Sequence, residues 1–301
     1  MVPPSRACLL LGASSQLGDC VLPRLLAADY RVHAVSRLAS GARMPMPMPE
    51  LSEQEQLRWH ALDLTEVQAW PAQVSVVVHL APLYLLPMLL RHAPKPLRVI
   101  AISSTSVRTK QHSPAWAERE MAQRLYKAEQ ELQHLCAEQG HSLTILRPTM
   151  LYGLGRDATV GRMQRFIRRW RFLPIPATAT GLRQPVHVDD IATAVLQVLD
   201  APRSHAKVYE LGGAQRLTVQ QLAQRIGVDN GLRIRIVRIP ASVLYVLLQL
   251  LARIRPGLDW SPALLKRAAL DQIADNQPAT DDFQYAPRAF DGRFYPPTQR
   301  R

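Results

Sequence analysis

The stretch from Ala7 to Val35 decides the fold. An apolar run, Ala7-Cys-Leu-Leu-Leu11, leads into the turn Gly12-Ala-Ser-Ser15-Gln-Leu-Gly18, then into a helix-like segment up to Ala28 and a second short apolar strand from Val32. Gly12 permits a tight turn out of the strand, and Gly18 lets the helix pack against it, so that the helix amino terminus faces a pyrophosphate. This order of elements predicts a dinucleotide-binding unit.

Ser15 occupies the position of the middle glycine in the G-x-x-G-x-x-G spacing. Its small side chain still lets a phosphate approach and adds a hydroxyl donor. Two glycines at this spacing are a weak motif by themselves, and the alternative is an ordinary turn between a strand and a helix. The flanking strands and helix favour the cofactor turn, whose predicted contact residues are Gly12, Ser14, Ser15, Gln16, Leu17 and Gly18.

The bulk composition predicts a globular protein. The 301 residues are 47% apolar and 20% charged, enough for one large core or two modest ones. The apolar run from Ile239 to Ala252 is interrupted by polar residues and is shorter than the roughly 20 residues that a helix needs to cross a bilayer. We therefore expect no transmembrane segment.

Cysteine usage predicts a reducing compartment. The three cysteines, Cys8, Cys20 and Cys136, are odd in number, fall on predicted buried faces and lack metal-ligand spacing. We expect neither disulfides nor a metal site, and we predict a cytoplasmic protein, with a peripheral membrane location as the alternative.

Apolar strands alternate with longer helical patterns up to about residue 148. Strands are predicted at 7–12, 31–35, 58–62, 74–80, 97–103 and 142–147, with a proline-rich loop at 44–50 and a long helix at 114–139 that ends at Gly140. Helices near 157–170, 190–199, 218–226, 241–254 and 262–273, and strands near 207–211 and 233–238, follow less regularly. The pattern predicts an α/β fold, a Rossmann-type doubly wound parallel sheet over 1–150 with a smaller mixed carboxy-terminal substrate lobe over 151–301, whose segments can interleave with the first domain.

The net charge of +13 calls for an anionic partner or surface. The densest basic patch, residues 162–171, interleaves Arg162, Arg165 and Arg169 with Phe166 and Trp170. Three interpretations stay open: a solvated helix face with aromatic anchors, a phosphate or membrane-surface site, and, least favoured, a nucleic-acid site. The apolar helix from Ala241 to Arg255 has two further interpretations, burial or contact with a bilayer surface or a lipid-linked substrate.

The end of the second strand indicates which cofactor binds. The position that normally carries an acid bonded to the adenosine ribose holds Ser36, followed by Arg37. An acid would repel a 2′-phosphate, whereas these two residues can bind one, so NADP(H) is favoured over NAD(H); the alternative is that Arg37 is a surface arginine. Asp63, after the third strand, either contacts the adenine or caps the helix that begins near Thr65.

The chain resembles the extended short-chain dehydrogenases/reductases of the NAD(P)-dependent epimerase/dehydratase group over about residues 7–225. The residues that carry the resemblance are Gly12 to Gly18, Asp63-Leu64, Val78-His79-Leu80-Ala81, Ile102-Ser103-Ser104-Thr105-Ser106-Val107, Lys127 with Glu131, Leu146-Arg147-Pro148-Thr149-Met150-Leu151-Tyr152-Gly153 and Arg183-Gln-Pro-Val-His-Val-Asp-Asp190. The resemblance implies that Leu64, Leu80, Ala81 and Pro148 contact the cofactor and that Tyr152 contacts the substrate.

The resemblance also implies a catalytic set, which is incomplete here. Ser104 matches the residue that orients the substrate oxygen, and Lys127 matches the lysine that binds the nicotinamide ribose. Four residues before that lysine, where the family has its proton-exchanging tyrosine, stands Gln123. Tyr126 is offset from Lys127 by about 100° around the helix and reaches the site only if the helix is shifted or unwound; the alternative is a packing role.

Arg183 lies seven residues before Asp190, which matches the diphosphate-binding arginine of sugar-nucleotide epimerases; the alternative is an ion pair with Asp189 or Asp190. Two main hypotheses follow. The first is an NADP(H)-dependent reductase, epimerase or dehydratase that acts on a nucleotide-linked or polyprenyl-linked sugar diphosphate. The second is an NADP(H)-binding sensor or assembly protein of the same fold. The helix at 114–139 is also a candidate seam for a homodimer.

Overall fold

The computed structural model describes residues 6–37, 56–61, 63–65, 74–93, 96–157, 159–254 and 268–295. Its strands are β1 (Ala7–Leu11), β2 (Arg31–Ser36), β3 (Leu57–Ala61), β4 (Val74–His79), β5 (Arg98–Ile102), β6 (Ser142–Pro148), β7 (Leu151–Tyr152), β8 (Phe172–Pro176), β9 (Leu182–Arg183), β10 (Val186–His187), β11 (Lys207–Leu211), β12 (Leu217–Thr218) and β13 (Arg235–Ile239). Within the described ranges a seven-stranded parallel sheet runs in the order β11-β6-β5-β4-β1-β2-β3. This order confirms the predicted Rossmann-type sheet.

Helices cover both faces of the sheet. The α-helices are α1 (Gly18–Ala27), α2 (Leu86–Leu90), α3 (Ser106–Thr109), α4 (Trp116–Gln139), α5 (Val160–Trp170), α6 (Val188–Leu199), α7 (Val219–Asp229), α8 (Ala241–Ile254) and α9 (Gln277–Phe283). One buried cluster joins the sheet to α1, α6 and α9, and a second joins it to α2 and α4. Coverage on both faces explains why every residue of β1 is buried and apolar.

The carboxy-terminal half of the chain is divided between the sheet and a smaller lobe. β11 pairs in parallel with β6 at one edge of the sheet, and α6 packs against α1. The smaller lobe contains α5, α7 and the parallel pair of β8 and β13, around a separate cluster with Tyr152, Ile167 and Leu222. The two parts therefore interleave along the chain, and the boundary at 150/151 stays a prediction.

Most predicted elements agree with the observed ones to within a few residues. The end of the predicted helix at 262–273 is wrong, because Gln272 forms a parallel bridge with Arg183 instead of continuing a helix. The earlier part of that helix, up to residue 267, lies outside the described residues, as does the proline-rich loop at 44–50.

No helix in the described part of the chain is long and apolar enough to cross a membrane. In α8, Leu244 is buried, whereas Val243, Tyr245 and Val246 are exposed, so this helix is only partly covered. Cys8, Cys20 and Cys136 are buried free thiols, and burial raises the pKa of both Cys20 and Cys136 to about 11.

Candidate cofactor and active site

Gly12 lies at the end of β1, where the backbone turns toward α1. Its φ of 80° is in the left-handed region, and a Cβ atom there would lie 2.8 Å from the backbone nitrogen of Ala81. The amides of Gly12 and Ala13 both donate to the carbonyl oxygen of Val35 at 3.1 Å. A larger residue at position 12 would strain the backbone and push β1 away from the loop after β4.

Gly18 begins α1, and a Cβ atom there would lie 2.2 Å from the carbonyl oxygen of Ala13. Between the two glycines, the Ser15 amide donates to the carbonyl of Gly12 at 3.0 Å, and the Ser15 Oγ accepts from the Gly18 amide at 3.0 Å. The Ser15 hydroxyl therefore lies at the start of the helix, where the partial positive charge of the helix dipole attracts an anion. The turn has the close backbone packing that a diphosphate cradle requires.

A second loop, residues 153–156, is bound to this turn. The Gln16 side-chain amide donates to the carbonyl of Gly153, and Arg156 forms an ion pair with Asp19 in the first turn of α1. Arg156 also donates to the carbonyl of Ser14 at 3.1 Å. Sequence reasoning missed Arg156 and Asp19, since no local pattern relates residues this far apart.

Ser36 and Arg37 lie at the end of β2, on the same side of the sheet as the turn. Ser36 is buried, and its hydroxyl donates to the Ser14 Oγ at 2.6 Å, whereas Arg37 is exposed. Asp63 accepts hydrogen bonds from the Thr65 amide at 2.9 Å and the Thr65 hydroxyl at 2.8 Å, which hold the pKa of Asp63 below its ordinary value; the charge of Arg37 acts in the same direction. The helix foreseen after Thr65 falls on residues 66–73, outside the described residues, so both roles foreseen for Asp63 stay predictions.

The other predicted cofactor residues lie at this edge too. The Leu80 amide donates to the carbonyl of Leu11 at 2.8 Å, which places Leu80 and Ala81 beside the turn. Pro148 ends β6, and its carbonyl accepts from the Thr105 amide at 3.1 Å. Leu64 is buried after β3. Because the carboxyl ends of parallel strands share one edge, these residues lie along the same edge of the sheet.

A cavity of about 470 Å³ lies between the loop after β5 and the smaller lobe. Its lining includes Ser104 and Arg183, so the structure brings together two predicted site residues that are distant in sequence. Among the described residues of the lining, Lys110 and Arg183 are the cationic groups. The described residues that line it include no carboxyl, phenol, imidazole or thiol.

Arg183 is buried at the wall of this cavity. Its Nη1 donates to the carbonyl of Leu182 at 2.9 Å and to that of Leu270 at 2.6 Å. Asp189 and Asp190, the partners considered for a structural ion pair, are both bound by Arg288 instead. The Ser104 hydroxyl contacts Ser106, donating to its Oγ at 3.0 Å.

The family catalytic positions on α4 do not reach that cavity. Gln123, Tyr126 and Lys127 are exposed, and Tyr126 retains 46% of its accessible surface. None of the three belongs to the cavity lining. Tyr126 therefore has neither the burial of a packing aromatic nor a contact with the Ser104 site.

Tyr152, predicted to contact the substrate, lies in the core of the smaller lobe. It is 1% exposed, its ring meets His187 edge-on at 5.1 Å, and its hydroxyl accepts from the Asp291 amide at 3.1 Å. Burial raises its pKa to about 12. Because β7 turns this side chain inward, the ring packs against His187 and Phe290 and does not line the cavity.

A buried ionic network connects α4 to the sheet beneath the site. Glu129 is 1% exposed, forms an ion pair with Arg147 on β6 and accepts from the Ser103 hydroxyl at 2.5 Å. Arg147 Nε also donates to this carboxylate at 3.0 Å. The network fixes the helix that carries Lys127 relative to the loop that carries Ser104. Sequence reasoning missed it, although an acidic residue on the apolar face of a helix was a detectable signal.

The histidines near the site have structural contacts. His187 Nδ1 accepts from the Asp189 amide at 3.1 Å and so caps α6, which leaves Nε2–H to donate to the Tyr295 hydroxyl at 2.7 Å. Burial lowers the pKa of His187 below 6.5 and that of His79 to about 4. Among the described residues, no group of three or more His, Cys, Asp or Glu side chains is arranged to hold a metal ion.

Comparisons with known proteins agree with this fold and resemblance. Residues 81–212 match the model of the NAD dependent epimerase/dehydratase family. Subunit 9 of the NADH dehydrogenase (ubiquinone) 1 alpha subcomplex, mitochondrial, of Arabidopsis thaliana is 37% identical over 82 residues, which are 27% of this chain and 20% of that protein. The matched segment therefore spans about a fifth of that relative's length.

Solved structures resemble the chain along nearly all of its length. UDP-glucuronic acid 4-epimerase from Bacillus cereus, solved with UDP-glucuronic acid and NAD, superposes with a TM-score of 0.69 at 16% identity and covers 94% of this chain and 95% of that chain. UDP-glucose 4-epimerase from Thermotoga maritima superposes with a TM-score of 0.66 at 18% identity, with 94% of each chain covered. At these identities the likeness shows the fold.

Proposed function

We propose that this chain holds NADP(H) as a sensor or assembly subunit and lacks the proton relay of the NAD dependent epimerase/dehydratase family, whose model residues 81–212 match. One observation carries this proposal. The cofactor edge, which is the carboxyl edge of the sheet around the turn from Gly12 to Gly18, has the close glycine packing that a dinucleotide requires. The described lining of the cavity beside Ser104, in contrast, offers no carboxyl, phenol, imidazole or thiol.

The residues of the cofactor edge fit the group. A Cβ atom at position 12 or 18 would collide with backbone, which matches a turn built for a closely approaching diphosphate. The amino terminus of α1 and the Ser15 hydroxyl would face the diphosphate. Lys127, which the family resemblance assigns to the nicotinamide ribose, is exposed on α4 outside the lining of the Ser104 cavity. When bound, the cofactor supplies a hydride donor or acceptor.

NADP(H) is the cofactor that the end of β2 favours. Position 36 carries serine where an acid would bond to the ribose, and Arg37 is exposed beside it. A guanidinium there can form charge-assisted hydrogen bonds to a 2′-phosphate. The solved UDP-glucuronic acid 4-epimerase contains NAD, so direct comparison of the two cofactors on this chain is the test of the preference.

The missing relay supports a non-catalytic role. Hydride transfer at a carbon that bears an oxygen needs a group that exchanges the proton of that oxygen. The carboxamide of Gln123 does not act as an acid or base near neutral pH, so it cannot exchange that proton. Tyr126 is exposed and lies outside the cavity lining. The name of the curated relative, a subunit of NADH dehydrogenase, also supports a subunit role.

The proposal is tested by measuring cofactor binding and turnover on one sample. NADPH fluorescence titration of the wild-type chain should saturate with a dissociation constant on the order of micromolar. The absorbance of bound NADPH should then stay constant with candidate sugar diphosphates. Oxidation that disappears in Ser104→Ala while NADPH binding persists would contradict the non-catalytic role.

A second candidate function rests on Ser104 and Arg183 lining one cavity. It is an oxidoreductase, epimerase or dehydratase of a sugar diphosphate, in which Ser104 would hold the sugar oxygen and the forked Arg183 guanidinium would neutralise the diphosphate. Arg183→Ala should then weaken substrate binding at least tenfold without changing NADPH affinity. Unchanged binding of UDP-sugars would remove this candidate.

A further inference from the structure

Most of the excess positive charge of the chain lies in two segments. Residues 158–188 and 230–258 contain eleven of the 37 basic residues, all arginine, and none of the 24 acidic residues. They therefore supply most of the net charge of +13. A basic excess concentrated in this way produces a local positive potential instead of a uniformly charged surface.

The fold places these two segments side by side. β8 from the first pairs in parallel with β13 from the second, with Phe172 opposite Arg235. Arg171 ends α5 in the left-handed conformation, with a φ of 59°, which turns the chain directly into β8. The Arg235 amide donates to the carbonyl of Arg171 at 3.0 Å. The end of α5 and the starts of both strands thus meet at one corner of the smaller lobe.

This corner, called here the arginine corner, consists of exposed residues. Trp170 is 55% exposed and Phe172 36% exposed, and the guanidinium of Arg169 lies over the Trp170 ring, 4.9 Å from its centroid. The complete set is Arg168, Arg169, Trp170, Arg171, Phe172, Arg233 and Arg235.

The arginines of the corner have no anionic partner within the described part of the chain. Arg168, Arg169 and Arg171 form no ion pair there, nor do Arg233 and Arg235. Elsewhere arginines are paired; Arg225, for example, contacts Asp229 one helical turn away. Unpaired guanidinium groups beside exposed aromatic rings are the arrangement that an anionic membrane interface attracts, because the rings enter the headgroup region while the cations contact lipid phosphates.

Exposed aliphatic side chains in the same two segments favour a membrane over a nucleic acid. Val237 on β13 is 36% exposed, and Val243 and Val246 on α8 are 49% and 56% exposed. Aliphatic side chains gain free energy by entering a bilayer interface, whereas they make no stacking contact with a base. We propose that the arginine corner binds the surface of an anionic lipid bilayer and attaches the protein peripherally.

The experiment is vesicle co-sedimentation of the full chain. Phosphatidylcholine vesicles with about one-third phosphatidylglycerol should bind it, and pure phosphatidylcholine vesicles should not. A triple variant with Arg168→Gln, Arg169→Gln and Arg171→Gln should bind about 100-fold more weakly, at roughly fivefold for each arginine. Trp170→Ala should retain binding at about 0.1 M salt and lose it at about 0.5 M salt, where charge is screened.

A matched triple variant, with Arg31→Gln, Arg58→Gln and Arg203→Gln, removes the same charge from exposed arginines elsewhere in the chain. The proposal requires this control to lose less than tenfold in vesicle binding. An equal loss in both triple variants, equal binding to neutral vesicles, or no binding to either vesicle would overturn it. Tighter binding to a single-stranded oligonucleotide than to anionic vesicles, lost in the corner variant, would overturn it in favour of nucleic acid. NADPH affinity should stay unchanged in all variants, which shows that they fold and separates this proposal from the proposed function.

Discussion

The cofactor edge and the exposed face of α4 differ in how their residues are held. At the cofactor edge, Gly12 and Gly18 pack so closely that neither position has room for a methyl group. On α4, Gln123, Tyr126 and Lys127 are exposed to solvent. Under the proposed function, cofactor binding and proton transfer depend on separate elements, so a chain of this fold can keep the first and lose the second.

The largest expected effect is at the tight turn. Gly18→Ala places a Cβ atom 2.2 Å from the Ala13 carbonyl oxygen, so we expect a loss of about 3–5 kcal/mol in the free energy of unfolding and loss of NADPH binding. Denaturant unfolding and NADPH fluorescence measure the two effects. Gly140→Ala is the matched control: φ is 71° but no atom lies within 4 Å, so it should cost about 1 kcal/mol. Equal costs would show that the turn is not tightly packed.

Glu129→Ala tests the link between the two regions. It leaves the buried Ser103 hydroxyl and the partly buried Arg147 guanidinium without their shared partner, so we expect a loss of about 3–5 kcal/mol in the free energy of unfolding. Glu131→Ala, two residues along the helix, removes an exposed pair with Arg91 and should change stability by less than about 1 kcal/mol. Similar unfolding midpoints for both variants would contradict a structural role for the buried network.

His79 makes stability depend on pH, since it ends β4 directly before Leu80. Burial lowers its pKa from 6.5 to about 4, so the native state disfavours the protonated ring. The contribution of the neutral His79 ring to the free energy of unfolding is therefore complete above pH 6.5. It falls by about 2–3 kcal/mol as the pH drops from 6.5 toward 4. Urea unfolding of the wild type and of His79→Gln at pH 7 and pH 4.5 measures this contribution. The free energy of unfolding should fall less between the two pH values in the variant than in the wild type. Parallel losses would assign the pH dependence to other groups.

The smallest expected effect concerns cofactor choice. Arg37→Ala should weaken NADPH binding about tenfold and leave NADH binding unchanged, because it removes one charge-assisted contact to the 2′-phosphate. Arg31→Ala, at the opposite end of β2, is the matched control and should change neither affinity. Equal weakening of NADPH and NADH by Arg37→Ala would remove the basis for the NADP(H) preference.

Local patterns predicted the glycine turn between β1 and α1 well and the long-range contacts poorly. The glycine turn follows from residues within one strand, turn and helix, so the sequence indicates it directly. The ion pairs of Arg156 with Asp19 and of Glu129 with Arg147 depend on how separate elements pack, which no spacing encodes. Tyr152 matched a family motif, but the inward orientation of β7 places its ring in the core.

The segment around Gln272 also shows that local patterns do not reveal contacts between distant parts of the chain. The helical periodicity at 262–273 did not reveal that Gln272 would bridge Arg183, because that bridge is a contact between distant segments. Arg183 itself was predicted from its spacing to Asp190. Its position on the wall of a shared cavity with Ser104 emerged only from the folded arrangement.

The most direct test of the central claim is a crystal structure of the wild-type chain with NADPH. The account predicts the diphosphate at the Gly12–Gly18 turn and the 2′-phosphate beside Arg37. It also predicts no phenol, carboxyl or imidazole within about 2.6–3.2 Å of the oxygen position beside Ser104. A Tyr126 hydroxyl within that distance, or NADPH bound away from the turn, would contradict it.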